Sequence, residues 1–104
     1  MDILGTKDPS LRTLVSELVR RLPPNTFVVV DNWGADPFAI GLARPSDHQH
    51  LVYICSDRDV DGRYFIAREL PARHDLEPVR STGVEQVDDV DAIAQVVATH
   101  LGAA

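Results

Sequence analysis

Features that identify several large classes of protein are missing from this sequence. It has one cysteine, Cys55, so no disulfide can form within the chain, and this is typical of proteins kept in a reducing compartment. No apolar run approaches the roughly 18 residues that a membrane span needs. The first residues lack the basic start and apolar core of a signal peptide. We therefore expect a cytoplasmic protein that does not enter a membrane.

Basic residues are also scarce. The chain has 10 Lys and Arg against 16 Asp and Glu, which gives a formal net charge of −6. Proteins that bind nucleic acid draw most of their affinity from Lys and Arg on phosphates, so the sequence predicts no nucleic-acid partner. A charge of this size keeps a small domain soluble, and it also allows electrostatic steering toward a basic protein.

Motifs that carry catalysis are missing as well. There is no nucleophile elbow and no phosphate-cradling glycine loop. Cys55, Ser56 and the histidines show no spacing that pairs a nucleophile with a base. We therefore predict a binding protein with no catalytic residue and no cofactor.

What is present predicts one domain over residues 1–104, because domains typically have roughly 100–150 residues. Asp8 can cap a helix whose first position is Pro9, and the prolines at 23 and 24 end it. A second helix is predicted to begin at Asp88 or Asp89 and to end near Gly102.

Between the two helices, β-branched and aromatic residues predict strands over 26–31, 38–43, 51–56 and 64–70, with an edge strand over 77–82. Short connections favour antiparallel pairing. The expected fold is α+β, an antiparallel sheet of four to five strands with an N-terminal and a C-terminal helix packed on one face. We expect the first strand to be covered on both faces and Gly41 to mark a bulge or a close backbone approach. The second face of the sheet is expected to be partly solvated or engaged by a partner.

The connection before the fourth strand, residues 57–62, is called the acidic turn. Its pattern Asp57-x-Asp59-x-Asp61-Gly copies the opening of a calcium loop, but the twelfth position, where a bidentate Glu belongs, holds Arg68. We interpret it as a solvated hairpin turn and predict no metal there.

His48 and His50 could face one side of a strand, but zinc needs three or four ligands. Cys55 and His74 could add to them only if the fold brings them close. No metal site is predicted here either. A metal-dependent enzyme that uses the acidic turn or this histidine pair is the least favoured of three functional hypotheses.

Trp33 lies in a polar loop between Asp31 and Asp36. An aromatic side chain flanked by carboxylates suits an interface with a basic partner, and it could equally fold back over the end of the sheet. Acidic residues are concentrated in this loop and in the acidic turn. The predicted partner-binding residues are Asp31, Trp33, Asp36, Asp57, Asp59, Asp61 and Tyr64.

Several short motifs carry a resemblance that covers roughly residues 11–101. They are D-x-W at Asp31 and Trp33, AIGLA at 39–43, LVYI at 51–54 and GRY at 62–64. In this pattern the chain resembles a group of small uncharacterised bacterial proteins. In size, charge and architecture it resembles the immunity proteins of contact-dependent inhibition and polymorphic toxin systems.

The resemblance implies a cytoplasmic protein that binds a cognate toxin domain, often a basic nuclease, and masks its active site. It assigns no role to individual residues. The alternative hypothesis is a small structural or regulatory domain that self-associates through its exposed sheet face or through an edge near Val79, because open edges invite pairing.

Overall fold

The structure is a computed structural model that describes residues 3–31, 36–70, 80–81 and 83–102. A short 3₁₀ helix, Ile3–Thr6, precedes helix α1, Pro9–Arg21, and helix α2 spans Val90–Leu101. The strands are β1 (Val28–Val30), β2 (Ala39–Arg44), β3 (Asp47–Ser56), β4 (Tyr64–Leu70), β5 (Arg80–Ser81) and β6 (Glu85–Val87). In the described part of the chain, no helix has the length and apolar character needed to cross a membrane.

The strands form one antiparallel sheet in the order β1-β2-β3-β4, and the outer edge of β4 pairs with β5 at one end and with β6 at the other. The sheet is therefore five positions wide and, with the two helices, makes the expected α+β fold. It is a meander of neighbouring strands because the connections are too short for parallel crossovers.

Both helices begin at residues that satisfy free backbone amides. Asp8 caps α1 by accepting a hydrogen bond from the Ser10 amide at 2.9 Å, and Asp89 caps α2 by accepting from the Asp91 amide at 3.0 Å. Side-chain caps of this kind contribute typically ~1 kcal/mol each. The predicted helix starts are confirmed, and α2 ends at Gly102 as expected.

The core lies between the two helices and one face of the sheet. Each helix contributes an apolar stripe with helical spacing, and β2, β3 and β4 contribute alternate residues, as the pleat requires. The largest fully buried side chains are Leu11, Leu14, Leu18, Ile40, Leu42, Val52, Ile54, Ile66, Ile93 and Val97.

The second face of the sheet is apolar, and no described helix lies on it. Its strand residues include Ala39, Ala43, Leu51 and Ala67, all buried, and the half-buried Phe65. The centre of this face is therefore closed to solvent, whereas Phe65 is partly exposed. Small residues at alternate positions allow close approach of a neighbouring surface.

Three further details differ from the sequence-based expectations. Strand β1 is an edge strand of three half-buried valines, so it is not covered on both faces. The register shifts between Ala43 and Arg44 rather than at Gly41. Residues 85–87, for which the sequence predicts no strand, form β6, in which Glu85 pairs with Ile66 of β4. Most of the predicted edge strand at 77–82 lies outside the described residues, and β5 holds only 80–81.

Lys7, the only lysine of the chain, is buried at the base of this fold. Its Nζ donates to Asp31 Oδ1 at 3.0 Å and to the carbonyl of Asp36 at 2.8 Å. The next residue continues the connection, because the Asp8 amide donates to the carbonyl of Pro37 at 2.8 Å. These bonds fix the start of α1 against both ends of the connection between β1 and β2.

Removal of one partner of this ion pair should be costly, because it leaves the other charge buried and unpaired. We expect Lys7→Ala to lower the free energy of unfolding by ~3 kcal/mol. The double variant Lys7→Met with Asp31→Leu should lose less free energy of unfolding than the sum of the losses in Lys7→Met alone and Asp31→Leu alone, as measured by urea denaturation. Additive losses would show that the pair is not coupled.

Candidate partner-binding surface

Carboxylates gather at the end of the sheet where β3 stops and β4 starts. We call this region the acidic end, and it holds two arginines, Arg58 and Arg63, among a larger number of acids. Arg58 forms an ion pair with Asp36, and Arg63 lies between Asp57 and Asp88 and forms an ion pair with each. The carboxylates of the acidic end are Asp8, Asp36, Asp57, Asp59, Asp61 and Asp88.

Asp57 builds the acidic turn. Its Oδ1 accepts from the Asp59 amide at 2.8 Å, and its Oδ2 lies 3.7 Å from Arg63 Nη1. Its own amide donates to the carbonyl of Arg63 at 2.9 Å. Gly62 has a positive φ of 81°, a conformation that glycine adopts without strain. The pattern is therefore that of a hairpin connection, in which Asp57 is engaged by the turn itself.

Asp59 and Asp61 differ from Asp57 because both are exposed. Within the described residues neither takes part in an ion pair. They are the carboxylates of the turn that remain without a neutralising partner, so they contribute most to the negative potential that a partner would meet.

Asp36 and Arg58 form the neighbouring part of the surface. Asp36 Oδ1 accepts from the Phe38 amide at 2.9 Å, which makes a local turn. The same oxygen lies 3.5 Å from Arg58 Nη2. The Arg58 guanidinium also lies over the Phe38 ring, 4.4 Å from its centroid, a cation–π contact.

Two of the predicted partner-binding residues have structural positions instead. Asp31 is bonded to the buried Lys7 and is itself only 14% exposed. Tyr64 is 7% exposed and packs in the core, where its hydroxyl donates to the carbonyl of Ser10 at 3.2 Å. Both side chains thus have structural roles, and Tyr64 also lines the recess at this end of the sheet. Trp33 lies outside the described residues.

A recess of about 200 Å³ opens at the acidic end between the acidic turn and the start of α1. Hydrogen bonds from Ser10 hold the pKa of Asp8 below its ordinary value. Burial raises the pKa of Tyr64, and the charge of Asp8 adds to that shift. The residues that line the recess are Asp8, Ser10, Phe38, Ser56, Asp57, Arg58, Asp61, Gly62, Arg63 and Tyr64.

A second polar cluster holds the end of α2 against β3 and β4. The rings of His50 and His100 lie with their centroids 4.3 Å apart. His50 Nε2 is 2.8 Å from the carbonyl of His100, and His100 Nε2 is 3.0 Å from the carbonyl of Glu69. Arg44 Nε donates to the carbonyl of Leu101 at 3.3 Å. His50 is thus occupied in fixing the helix.

A metal centre is not apparent in the parts of the chain that the structure describes, where no three His, Cys, Asp or Glu side chains converge. His48 is exposed on β3 and does not take part in the contact between His50 and His100. A wider depression of about 440 Å³ is lined by 23–26, Ala98 and Gly102. Its lining has no ionisable side chain, so it offers no charged group to bind a ligand or to catalyse a reaction.

Comparison with protein-family profiles, with curated protein sequences and with solved structures gives no match.

Sequence reasoning missed the residues that shape this surface. Lys7, Asp8, Ser56 and Arg63 all line or support the recess, and only Asp8 was assigned a role, as a helix cap. The signal for Lys7 was its isolation as the one lysine among nine arginines. Ser56 and Arg63 required the pairing of β3 with β4, which brings Ser56 beside Tyr64.

The histidine cluster predicts a pH dependence of stability. Burial lowers the pKa of His100 below 6.5, and the nearby His50, Arg68 and Arg44 add to this, against the opposing effect of its bond to Glu69. The folded state therefore favours the neutral ring, whose contribution is complete above pH 6.5 and is lost as the pH falls through the folded-state pKa.

We expect the His100→Gln variant to lack the part of the pH-dependent loss of stability that comes from protonation of His100. The free energy of unfolding should be measured by urea denaturation from about pH 7.5 to about pH 5, the range in which histidine titrates. The advantage of the wild type over the variant should shrink as the pH falls. A constant difference would contradict the assignment. The difference between the free energies of unfolding of the two proteins cancels the contributions of the carboxylates that both share.

Proposed function

We propose that the protein is a non-catalytic binding module that recognises a basic protein surface through its acidic end. The observation that supports this most strongly is the pair of exposed carboxylates, Asp59 and Asp61, which no ion pair in the described structure neutralises. Paired acids stabilise the fold locally, but these two have no such role. Unneutralised acids around a recess favour encounter with a cationic partner.

The partner that fits the resemblance of the sequence is a toxin domain, and we propose that the protein acts as an immunity protein in the cytoplasm. An acidic protein of this size can mask the active site of a basic nuclease, because the nuclease carries cations where it binds phosphate. The two arginines of the acidic end are held by carboxylates and so do not oppose such a partner strongly.

Coexpression with the product of the adjacent gene tests the biological part of this proposal. The expected result is a stable complex, and growth of a host that the adjacent gene product would otherwise inhibit. An adjacent gene unrelated to toxins, together with no copurifying protein, would contradict it.

Association kinetics test the surface. We expect Asp59→Asn combined with Asp61→Asn to slow association with that partner about tenfold at low ionic strength. The effect should largely vanish at physiological salt, as the Debye length contracts from ~30 Å to ~8 Å. The free energy of unfolding should change by less than ~0.5 kcal/mol, because both side chains are exposed.

The matched control is Asp47→Asn combined with Glu17→Gln. It lowers the negative charge by the same amount, but it acts at the turn between β2 and β3 and on α1. We expect a smaller effect on the association rate. Equal slowing by both double variants would show that total charge, and not the acidic end, steers the partner.

Self-association is a second candidate function, favoured by the unpaired edge of β1 in the described structure. In the described structure, β1 pairs on one side only, with β2, and its three valines carry no charge that would discourage pairing. Sedimentation at rising concentration distinguishes the two functions. A dimer that persists without any partner would favour this candidate, and a monomer at high concentration would remove it.

A further inference from the structure

Ser56, at the lining of the recess at the acidic end, has a buried hydroxyl that makes no hydrogen bond within the described residues. Ser56 lines the recess and is 3% exposed, and its Oγ has no hydrogen-bond partner within the described chain. Arg63 Nε, in the same lining, also lacks a hydrogen bond, with Asp88 3.7 Å away. Buried polar groups are nearly always paired, so the Ser56 hydroxyl leaves a hydrogen-bond position beside the recess that a ligand or an ordered water can fill.

The size of the recess limits what that ligand can be. Sites for drug-sized molecules have ~300–1,000 Å³, whereas this recess has about 200 Å³. It can therefore accept the end of one side chain and not a typical metabolite. The described residues also offer no cluster of three ligands for a metal ion.

The chemistry of the lining favours a cation over an anion. Asp57 and Asp61 supply carboxylates, Ser56 supplies a hydroxyl acceptor, and the Phe38 ring supplies a face that attracts cations. Asp8 adds a third carboxylate whose ionised form is favoured by its bonds to Ser10. The lining holds three carboxylates against two guanidinium groups, and both arginines already have acidic neighbours.

Arg58 indicates which cation fits. Its guanidinium lies over the Phe38 ring, 4.4 Å from the centroid. The Arg58 side chain is mostly exposed, and its other contact among the described residues is the 3.5 Å approach to Asp36, which contributes little in solvent. A planar guanidinium can stack on the ring and still donate hydrogen bonds in several directions. Arg58 thus occupies a position that another guanidinium could take.

We propose that the recess binds one arginine side chain of the partner, whose guanidinium replaces that of Arg58 on Phe38 and donates to Asp61 and to Ser56 Oγ. This inference rests on the proposed function, since it specifies how a basic partner is anchored. The carboxylates would set the approach of the partner, and the buried hydroxyl would select a donor that reaches the base of the recess.

The test uses a small probe in place of the partner. N-acetyl-arginine amide is titrated into the isotope-labelled protein and followed by nuclear magnetic resonance, with N-acetyl-citrulline amide as a neutral probe of the same shape. The arginine probe should shift the amide signals of Ser56, Gly62 and Arg63 and saturate with a Kd of ~1 mM, ordinary for a single weak contact. The citrulline probe should bind at least about tenfold more weakly, because it lacks the charge.

Two variants separate a specific site from general charge attraction. Ser56→Ala should weaken binding of the arginine probe about fivefold, the factor that one hydrogen bond supplies. It should leave the melting temperature unchanged or higher, because Oγ has no partner in the free protein. Arg58→Gln should strengthen binding, since it removes the competing guanidinium, and by more than Arg20→Gln, which makes the same charge change on the exposed side of α1.

Equal binding of the two probes, no effect of Ser56→Ala, or weaker binding to the Arg58→Gln variant would each overturn the proposal. These outcomes are separable from failure of the proposed function. Absence of a saturable probe site, together with slowed association of the Asp59 and Asp61 double variant, would remove the arginine anchor alone. Failure of the adjacent gene product to bind would instead count against the proposed function.

Discussion

The buried ammonium of Lys7 is the constraint on which the arrangement of the candidate surface depends. A buried charge costs several kcal/mol unless it is paired and hydrogen-bonded, and Lys7 meets this requirement through Asp31 and the carbonyl of Asp36. These two acceptors flank residues 32–35 on either side. The adjacent Asp8 then begins α1 and forms one wall of the recess. One interaction thereby sets the start of α1 against the end of the sheet.

The carboxylates of the acidic end divide into two groups with different roles. Asp8 and Asp57 accept backbone hydrogen bonds that define a helix start and a turn. Asp59 and Asp61 are exposed and unpaired in the described structure. The distinction matters because acids of the first group stabilise the fold, and their substitution would confuse a binding assay. The second group can be changed with little effect on folding.

Much of the fold could be predicted from local sequence patterns. Asp8 and Pro9 define the start of α1, and the alternating apolar residues of β3 and β4 define strands that short turns can join only in antiparallel fashion. The strand β6 could not be predicted, because Glu85, Gln86 and Val87 lack a strand pattern and gain their conformation from pairing with β4. Pairing of this kind depends on tertiary contacts, which local propensity does not record.

The candidate surface was predicted in its location and only partly in its residues. Composition identified the acidic turn correctly as a connection between strands, but it could not distinguish an exposed carboxylate from one that is bonded to a buried lysine. Asp31 and Asp59 look alike in the sequence, and their difference arises from Lys7, which lies 24 residues away from Asp31. Tyr64 lies two residues after the acidic turn in the sequence, whereas β4 directs its side chain into the core.

Docking of a basic partner on the acidic end can be measured by hydrogen exchange of the protein alone and in complex with the product of the adjacent gene. We expect slower exchange at residues 36–38, in the acidic turn and at Asp88 when the partner is bound. Protection confined to β1, or to the opposite end of the sheet around Arg44 and His48, with unchanged exchange in the acidic turn, would contradict it.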